Sequence, residues 1–215
     1  MTRTDYTKLF TKHSAGDKME DLRSINTSPL ENEFCKLRHN IKGLICNKCY
    51  SIAFNKYRKN LKEKLKRNTE ILTSEIIPVE NIPFINDIYF RIESFGDLQN
   101  VTQAINYINL IKVNTHVNFA WWTKNPVFIK KAFDQLGIEK PHNVQIVFSC
   151  PCINKEIDIK IVQKVFPFID KVFTVFDDDF IAENDIDINC GKRHCIECQN
   201  CYKKGGNVQV RERLK

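Results

Sequence analysis

The sequence has little of what would remove it from the ordinary globular class. Its 215 residues include only 7 glycines and 7 prolines, too few for a fibrous or low-complexity chain. No apolar run approaches the roughly 18 residues that a membrane-crossing helix needs. The opening Met1-Thr2-Arg3-Thr4-Asp5 lacks the apolar core of a signal peptide. A cytoplasmic protein without a membrane partner is therefore expected. No internal repeat is present. Hydrophobic residues at 42% and charged residues at 27% suit a packed core, and the length suits a single domain.

What the sequence does have is cysteine, 9 in all. A reducing cytoplasm does not sustain structural disulfides, and an odd number leaves one thiol over in any paired framework. Metal ligation explains them better. The formal net charge of +7 points to an acidic partner such as nucleic acid, but metal-bound cysteines are thiolates and would reduce that charge.

Residues 1–30 are polar and show little periodicity, which predicts a loosely held lead-in. Residues 31–180 read as an α/β domain, and 181–215 as a Cys-rich extension ending in a mobile basic tail. Tyr50, Phe54, Tyr57, Leu61 and Leu65 recur at helical spacing among many lysines and arginines, predicting one amphipathic helix with those residues on its apolar face. Strands are expected at 87–93, 117–122, 144–148 and 172–176, with helices at 101–111, 127–136 and 157–166 between them. Such alternation implies parallel strands joined by right-handed crossovers, a wound sheet or a partial (β/α) barrel. Chemistry in these folds gathers at the carboxyl ends of the strands. Those ends carry Ser94-Phe95-Gly96-Asp97, Trp122-Thr123-Lys124, Ser149-Cys150-Pro151-Cys152 and Phe176-Asp177-Asp178-Asp179.

The cysteines fall into two groups. Cys190, Cys195, Cys198 and Cys201 are separated by four, two and two residues, a density that suits an iron–sulfur cluster or structural zinc. Cys35, Cys46 and Cys49 are separated by ten and then two residues. Three cysteines on a cubane cluster leave one iron open to a ligand from outside the protein; the alternative is zinc completed by His39 or a distant cysteine. Cys150 and Cys152 read either as extra ligands or redox thiols, or as small buried residues.

The order of these parts resembles a small radical SAM enzyme: a cysteine loop closing on Cys46-Asn47-Lys48-Cys49-Tyr50, a helix, then a strand running into Ser94-Phe95-Gly96-Asp97. The gap of ten residues after Cys35 and the single glycine before Asp97 depart from the commonest pattern. A resemblance to the phage "gene product 88" family covers roughly residues 25 to 205. It rests on the loop ending Cys49-Tyr50, on the segment from Arg91 to Gly96-Asp97, on Trp122-Thr123-Lys124 and on the terminal cysteine run. These resemblances imply a phage or prophage origin in a bacterial host and a radical-SAM-like partial barrel. They further imply a [4Fe-4S] cluster on Cys35, Cys46 and Cys49, S-adenosylmethionine (SAM) at its open iron, and an external electron donor. Asp97, in the Gly96-Asp97 turn, would then receive the SAM amino group, Tyr50 would shield the cluster and Ser149 would touch the ribose. Cys190, Cys195, Cys198 and Cys201 would hold an auxiliary cluster. No catalytic residue and no substrate follow.

Two rival functions stand beside this one. The first is an iron–sulfur protein without SAM chemistry, working in electron transfer, sensing or nucleic-acid processing; the second is a zinc-stabilised nucleic-acid-binding module. The basic residues between Lys56 and Arg67 read as solvated surface, with phosphate tracking as the alternative.

Overall fold

Short runs rich in β-branched and aromatic residues supply the strands. A computed structural model describes residues 1–214. Its single sheet has seven strands in the order β1-β2-β3-β4-β5-β6-β7: β1 (Phe10–Lys12), β2 (Arg23–Ile25), β3 (Tyr89–Ile92), β4 (Asn118–Thr123), β5 (Val144–Ser149), β6 (Lys171–Phe176) and β7 (Gln209–Arg213). β1 runs antiparallel to β2, and every later pairing is parallel. The expected mixed α/β sheet is therefore present. Closure toward a barrel is not: β1 and β7 are two separate edges of an open sheet.

Sequential parallel strands need crossovers of one hand, which send the helices to one face. That face carries the main core. Ile25, Phe90, Ile92, Phe119, Trp121, Ile146 and Val172 point from the strands into a layer built from α4 (Lys59–Ser74), α5 (Val101–Val113), α6 (Val127–Leu136) and α7 (Ile159–Val165). Asn100 caps α5 by accepting from the Gln103 N–H at 2.9 Å, and Gly137 ends α6 in the left-handed conformation at φ 62, as helix termini require. Trp121 meets Tyr107 edge-on at 5.6 Å. Among the described residues no helix is long and apolar enough to cross a membrane.

The opposite face is lined by Ala120, Trp122, Val147, Phe173, Val175 and Val210. It is covered by Met19 and Leu22 from the start of the chain and by Tyr202, Cys190, Cys195 and Cys201 from its last part. Trp121 and Trp122 therefore serve opposite faces, as the pleat dictates.

Three expectations are corrected. The lead-in is structured: α1 (Arg3–Thr7), β1 and β2 bury Tyr6, Leu9, Phe10 and Ile25. Elements of three to five residues are too short to show a period, so composition alone misread them. The basic tail is instead β7, fixed to β6 from Val172 opposite Gln209 to Phe176 opposite Arg213. The amphipathic helix is two helices, α3 (Tyr50–Tyr57) and α4, broken at Arg58 (φ −112, ψ 80). The break frees α3 to turn its other side inward, burying Ser51, Ile52 and Asn55 and leaving Tyr50, Phe54 and Tyr57 exposed.

Candidate metal centres

Local backbone demands bring the first cysteine group to the strand ends. Asn32 caps α2 (Glu33–His39) by accepting from the Phe34 and Cys35 N–H groups at 3.0 and 3.4 Å, and it donates its own amide to the Asp97 carbonyl at 2.8 Å. One side chain thus ties Cys35 to the turn after β3. Cys46 lies in the short 3-10 turn Ile45–Lys48, whose start is held by the loop after β5. Ile45 N–H donates to the Pro151 carbonyl at 2.8 Å, Ile153 N–H donates to the Gly43 carbonyl at 3.2 Å, and Leu44 bridges Cys152. Cys49 precedes α3, and the Tyr50 hydroxyl donates to the Ser94 carbonyl. The His39 Nδ1 lies 2.9 Å from the Cys46 carbonyl, which leaves only Nε2 for a metal.

The sequence-predicted residues around this group meet different fates. Asp97 is 3% exposed, and its carboxylate accepts from Thr123 Oγ1 at 2.6 Å, Lys124 N–H at 2.8 Å and its neighbour Leu98 N–H at 2.8 Å. It locks the turn after β4 to the turn after β3. Gly96 is there because the chains touch: a Cβ would sit 2.5 Å from both the Thr27 carbonyl oxygen and Thr27 Oγ1. Gly96→Ala is expected to cost about 1–3 kcal/mol through forced repacking, read as a lower urea midpoint with an unchanged slope. Ser149 is the buried last residue of β5, beside Cys150.

The charge centre of the group is a residue that the sequence reading passed over. Burial works against the Lys124 ammonium, but Cys46, Asp97, Cys35 and Cys49 outweigh it and hold its pKa above the usual lysine value. Burial pushes the Cys35 thiol up, Asp97 adds to that and Lys124 opposes it; burial likewise raises Cys46, again opposed by Lys124. A cation at a strand end, next to an aromatic and a threonine, was the only signal in the sequence.

The second group sits on the face opposite the helices. Cys190 N–H donates to the Arg211 carbonyl at 2.9 Å, and Cys195 N–H, at the start of α8 (Cys195–Cys198), donates to the Lys18 carbonyl at 2.8 Å. Lys18 pairs with Glu212 at 2.6 Å and points its ammonium at the Cys190 sulfur, 3.6 Å away. Burial raises Cys190, eased by Lys18. Burial pushes Cys201 up to about 12, eased by Arg91, whose guanidinium lies 3.9 Å over the Trp122 ring.

The two groups share one neighbourhood. Ile45, beside Cys46, packs in the same apolar cluster as Cys190, Cys201 and Trp122. Burial makes the Tyr50 hydroxyl less acidic, and the charges of Arg91 and Lys124 ease that shift. The gene product 88 family model matches residues 3–214. The chain belongs to that family. The match runs past the 25–205 span of the sequence resemblance, taking in β1 and β7. No curated protein and no solved structure matches this gene product 88 chain.

Among the described residues of this gene product 88 chain, no three His, Cys, Asp or Glu side chains converge as a ligand set. The donor chemistry nevertheless fits: each thiol group is partly buried and faced by a cation, Lys124 for one and Lys18 with Arg91 for the other. Trp122 Nε1 is buried without an acceptor, a spare donor of the kind that sulfur ligands use. Thiols held above neutrality are protonated when free, so metal uptake would release protons and draw the loops inward.

Proposed function

We propose that this chain is an iron–sulfur protein with two centres, one on Cys35, Cys46 and Cys49 and one on Cys190, Cys195, Cys198 and Cys201. The observation that supports the reading is that each cysteine group faces its own cation, Lys124 for the first and Lys18 for the second, while Ile45, the neighbour of Cys46, packs against the same apolar cluster as Cys190 and Cys201. Seven thiolates would overload a site without compensating charge, and Lys124, Lys18 and Arg91 supply it. In the finer form of the proposal the first centre takes SAM at its open iron, and a [4Fe-4S] cluster so loaded supplies one-electron reductive cleavage of the sulfonium. The chain's own part would be to exclude water with Tyr50 and to hold the strand-end turns in register through Asp97. Ser149, buried and next to Cys150, would remain the ribose contact.

A second reading, electron transfer without SAM, is favoured by the state of Asp97. Its carboxylate is committed to Thr123 and Lys124, so a ligand amino group would compete with hydrogen bonds already made. Anaerobic purification decides between these readings. Iron and acid-labile sulfide in near-equal amounts are expected, and SAM is expected to change the electron paramagnetic resonance spectrum of the reduced first centre. A spectrum indifferent to SAM selects the electron-transfer reading. Stoichiometric zinc without sulfide would overturn both.

A further inference from the structure

The outward face of α3 is left unexplained by the fold. Tyr50, Phe54 and Tyr57 form one stripe at i, i+4 and i+7, with exposures of 56%, 36% and 86%. Burying large apolar side chains like these stabilises by about 1.5–3 kcal/mol each, yet α3 turns Ser51, Ile52 and Asn55 inward and leaves them outside. Cations surround the stripe. Lys56, Arg58, Lys59, Lys62, Lys66 and Arg67 are all exposed, and Glu63 is the only acid from 56 to 67. The Arg58 guanidinium lies 4.6 Å over the Phe54 ring. Farther along, Lys8, Asn60, Lys64, Arg67 and Asn68 line a shallow recess together with Glu63.

We propose that α3 and α4 form a docking surface for single-stranded nucleic acid. Bases stack on Tyr57 and Phe54, and phosphates follow the cations of α4. Stacking platforms interleaved with positive charge are what unpaired strands require, since every base has a π-face and every nucleotide one negative charge. Lys59, Lys62 and Lys66 lie along one side of α4 at rises of about 4.5–6 Å, from about 1.5 Å per residue. A duplex hides its base faces and would meet only the cations. The inference is independent of the metal reading, because Phe54, Tyr57 and the cations of α4 have no part in it; Tyr50, tied to the Ser94 carbonyl, only ends the stripe.

The test is fluorescence anisotropy of the full chain with labelled oligothymidylate of about 20 nucleotides, a length that exceeds the usual site on one such platform. Oligothymidylate is expected to bind more tightly than a duplex of equal length. The slope of log K against log salt is expected near about −3, from roughly four phosphate contacts at about −0.7 each. Tyr57→Ala should weaken binding about 5- to 100-fold, the loss of one stacked base, with the slope unchanged. The double change Lys59→Ala with Lys62→Ala should lower the slope by about 1.4. With Tyr57 at the surface, circular dichroism should show that its variant folds normally. Equal affinity for duplex, an unaffected Tyr57→Ala variant, or polyglutamate binding as tightly as oligothymidylate would each overturn the proposal, the last by assigning the surface to an acidic protein.

Discussion

Changing Cys195 and Cys198 together to serine is expected to empty the second centre of iron and to lower the unfolding midpoint by roughly 10–20 °C. The size of the effect follows from where the segment sits. Cys195 and Cys201 pack with Met19, Leu22, Ala120 and Tyr202 on the face of the sheet opposite α4 to α7, and Cys190 is bridged to Glu212 of β7. A metal there would fix the loop 190–201, which meets the first part of the chain through small apolar clusters, the Lys18–Glu212 ion pair and the Cys195 N–H bond to the Lys18 carbonyl. Structural metal in small domains contributes about 10–16 kcal/mol in the apparent sense. A domain that already has a helix-side core would lose a fraction of that, about 5 kcal/mol, at roughly 2–4 °C per kcal/mol for this length. The variant would also leave Lys18 and Arg91 facing neutral hydroxyls. Thermal melts followed by circular dichroism, with iron assayed on the same samples, check this. Iron lost with the midpoint unmoved would make the centre a peripheral attachment.

Glu93→Ala is expected to cost about 3–5 kcal/mol without touching any cysteine. Glu93 is 2% exposed, stands at φ 56 just after β3, and collects five donors. Tyr107 Oη and Thr27 Oγ1 donate at 2.6 and 2.7 Å, Gln103 Nε2 at 2.9 Å, and the Thr27 and Gly96 N–H groups at 3.2 Å. Alanine removes the shared acceptor of all five; Gln103 Nε2 and Thr27 Oγ1 keep longer alternatives at 3.2–3.4 Å, and each buried donor left unsatisfied carries a penalty of about 1–3 kcal/mol before relaxation. The same residue sets a pH dependence. Burial raises its pKa from 4.5 to about 7, against the hydrogen bonds from Tyr107 and Thr27. The folded chain therefore holds a proton between pH 4.5 and about 7 that the unfolded chain has lost. Stability from this group is complete below pH 4.5 and disappears as the pH rises through about 7, by at most about 3 kcal/mol at 1.36 kcal/mol per pKa unit. Glu93→Gln should abolish that slope, although its amide meets the Thr27 and Gly96 N–H groups and lowers stability throughout. Urea unfolding at several pH values measures both; a wild-type slope that survives in the Gln variant would assign it elsewhere.

The four strands β3 to β6 and the helices between them were legible because each is long enough to show a period. β4 and β5 lie within a residue of their expected limits, and α6 spans the expected 127–136. The chain beyond them was harder to read for physical reasons. β1 and β2 have three residues each, and β7, reading Gln-Val-Arg-Glu-Arg, keeps its charges where a strand edge meets solvent, so composition alone suggested a tail. Tyr50, Phe54 and Tyr57 carry the pattern of a buried stripe, but the break at Arg58 decides which side of α3 faces inward, and a broken helix has the same residues as a continuous one. At the candidate site the acids and thiols were visible by type. Lys124 was not, because its meaning lies in four neighbours from three distant stretches of chain. Asp97 was assigned to a ligand when its local hydrogen bonds already account for it.

The ion pair between Lys18 and Glu212 also sets an order in time. Its partners are 194 positions apart, so during synthesis the second cysteine group has no seat until Glu212 has been translated. The first group needs the chain through Asp177, because the loop after β5 that seats it is held by the Phe173 and Val175 carbonyls and by the Asp177 carboxylate. At about 5–20 residues per second, the ribosome separates the two events by roughly 2–7 s. The seat of the first cysteine group is thus completed while that of the second is still absent, so under the proposed reading a nascent chain would fill its first centre before its second.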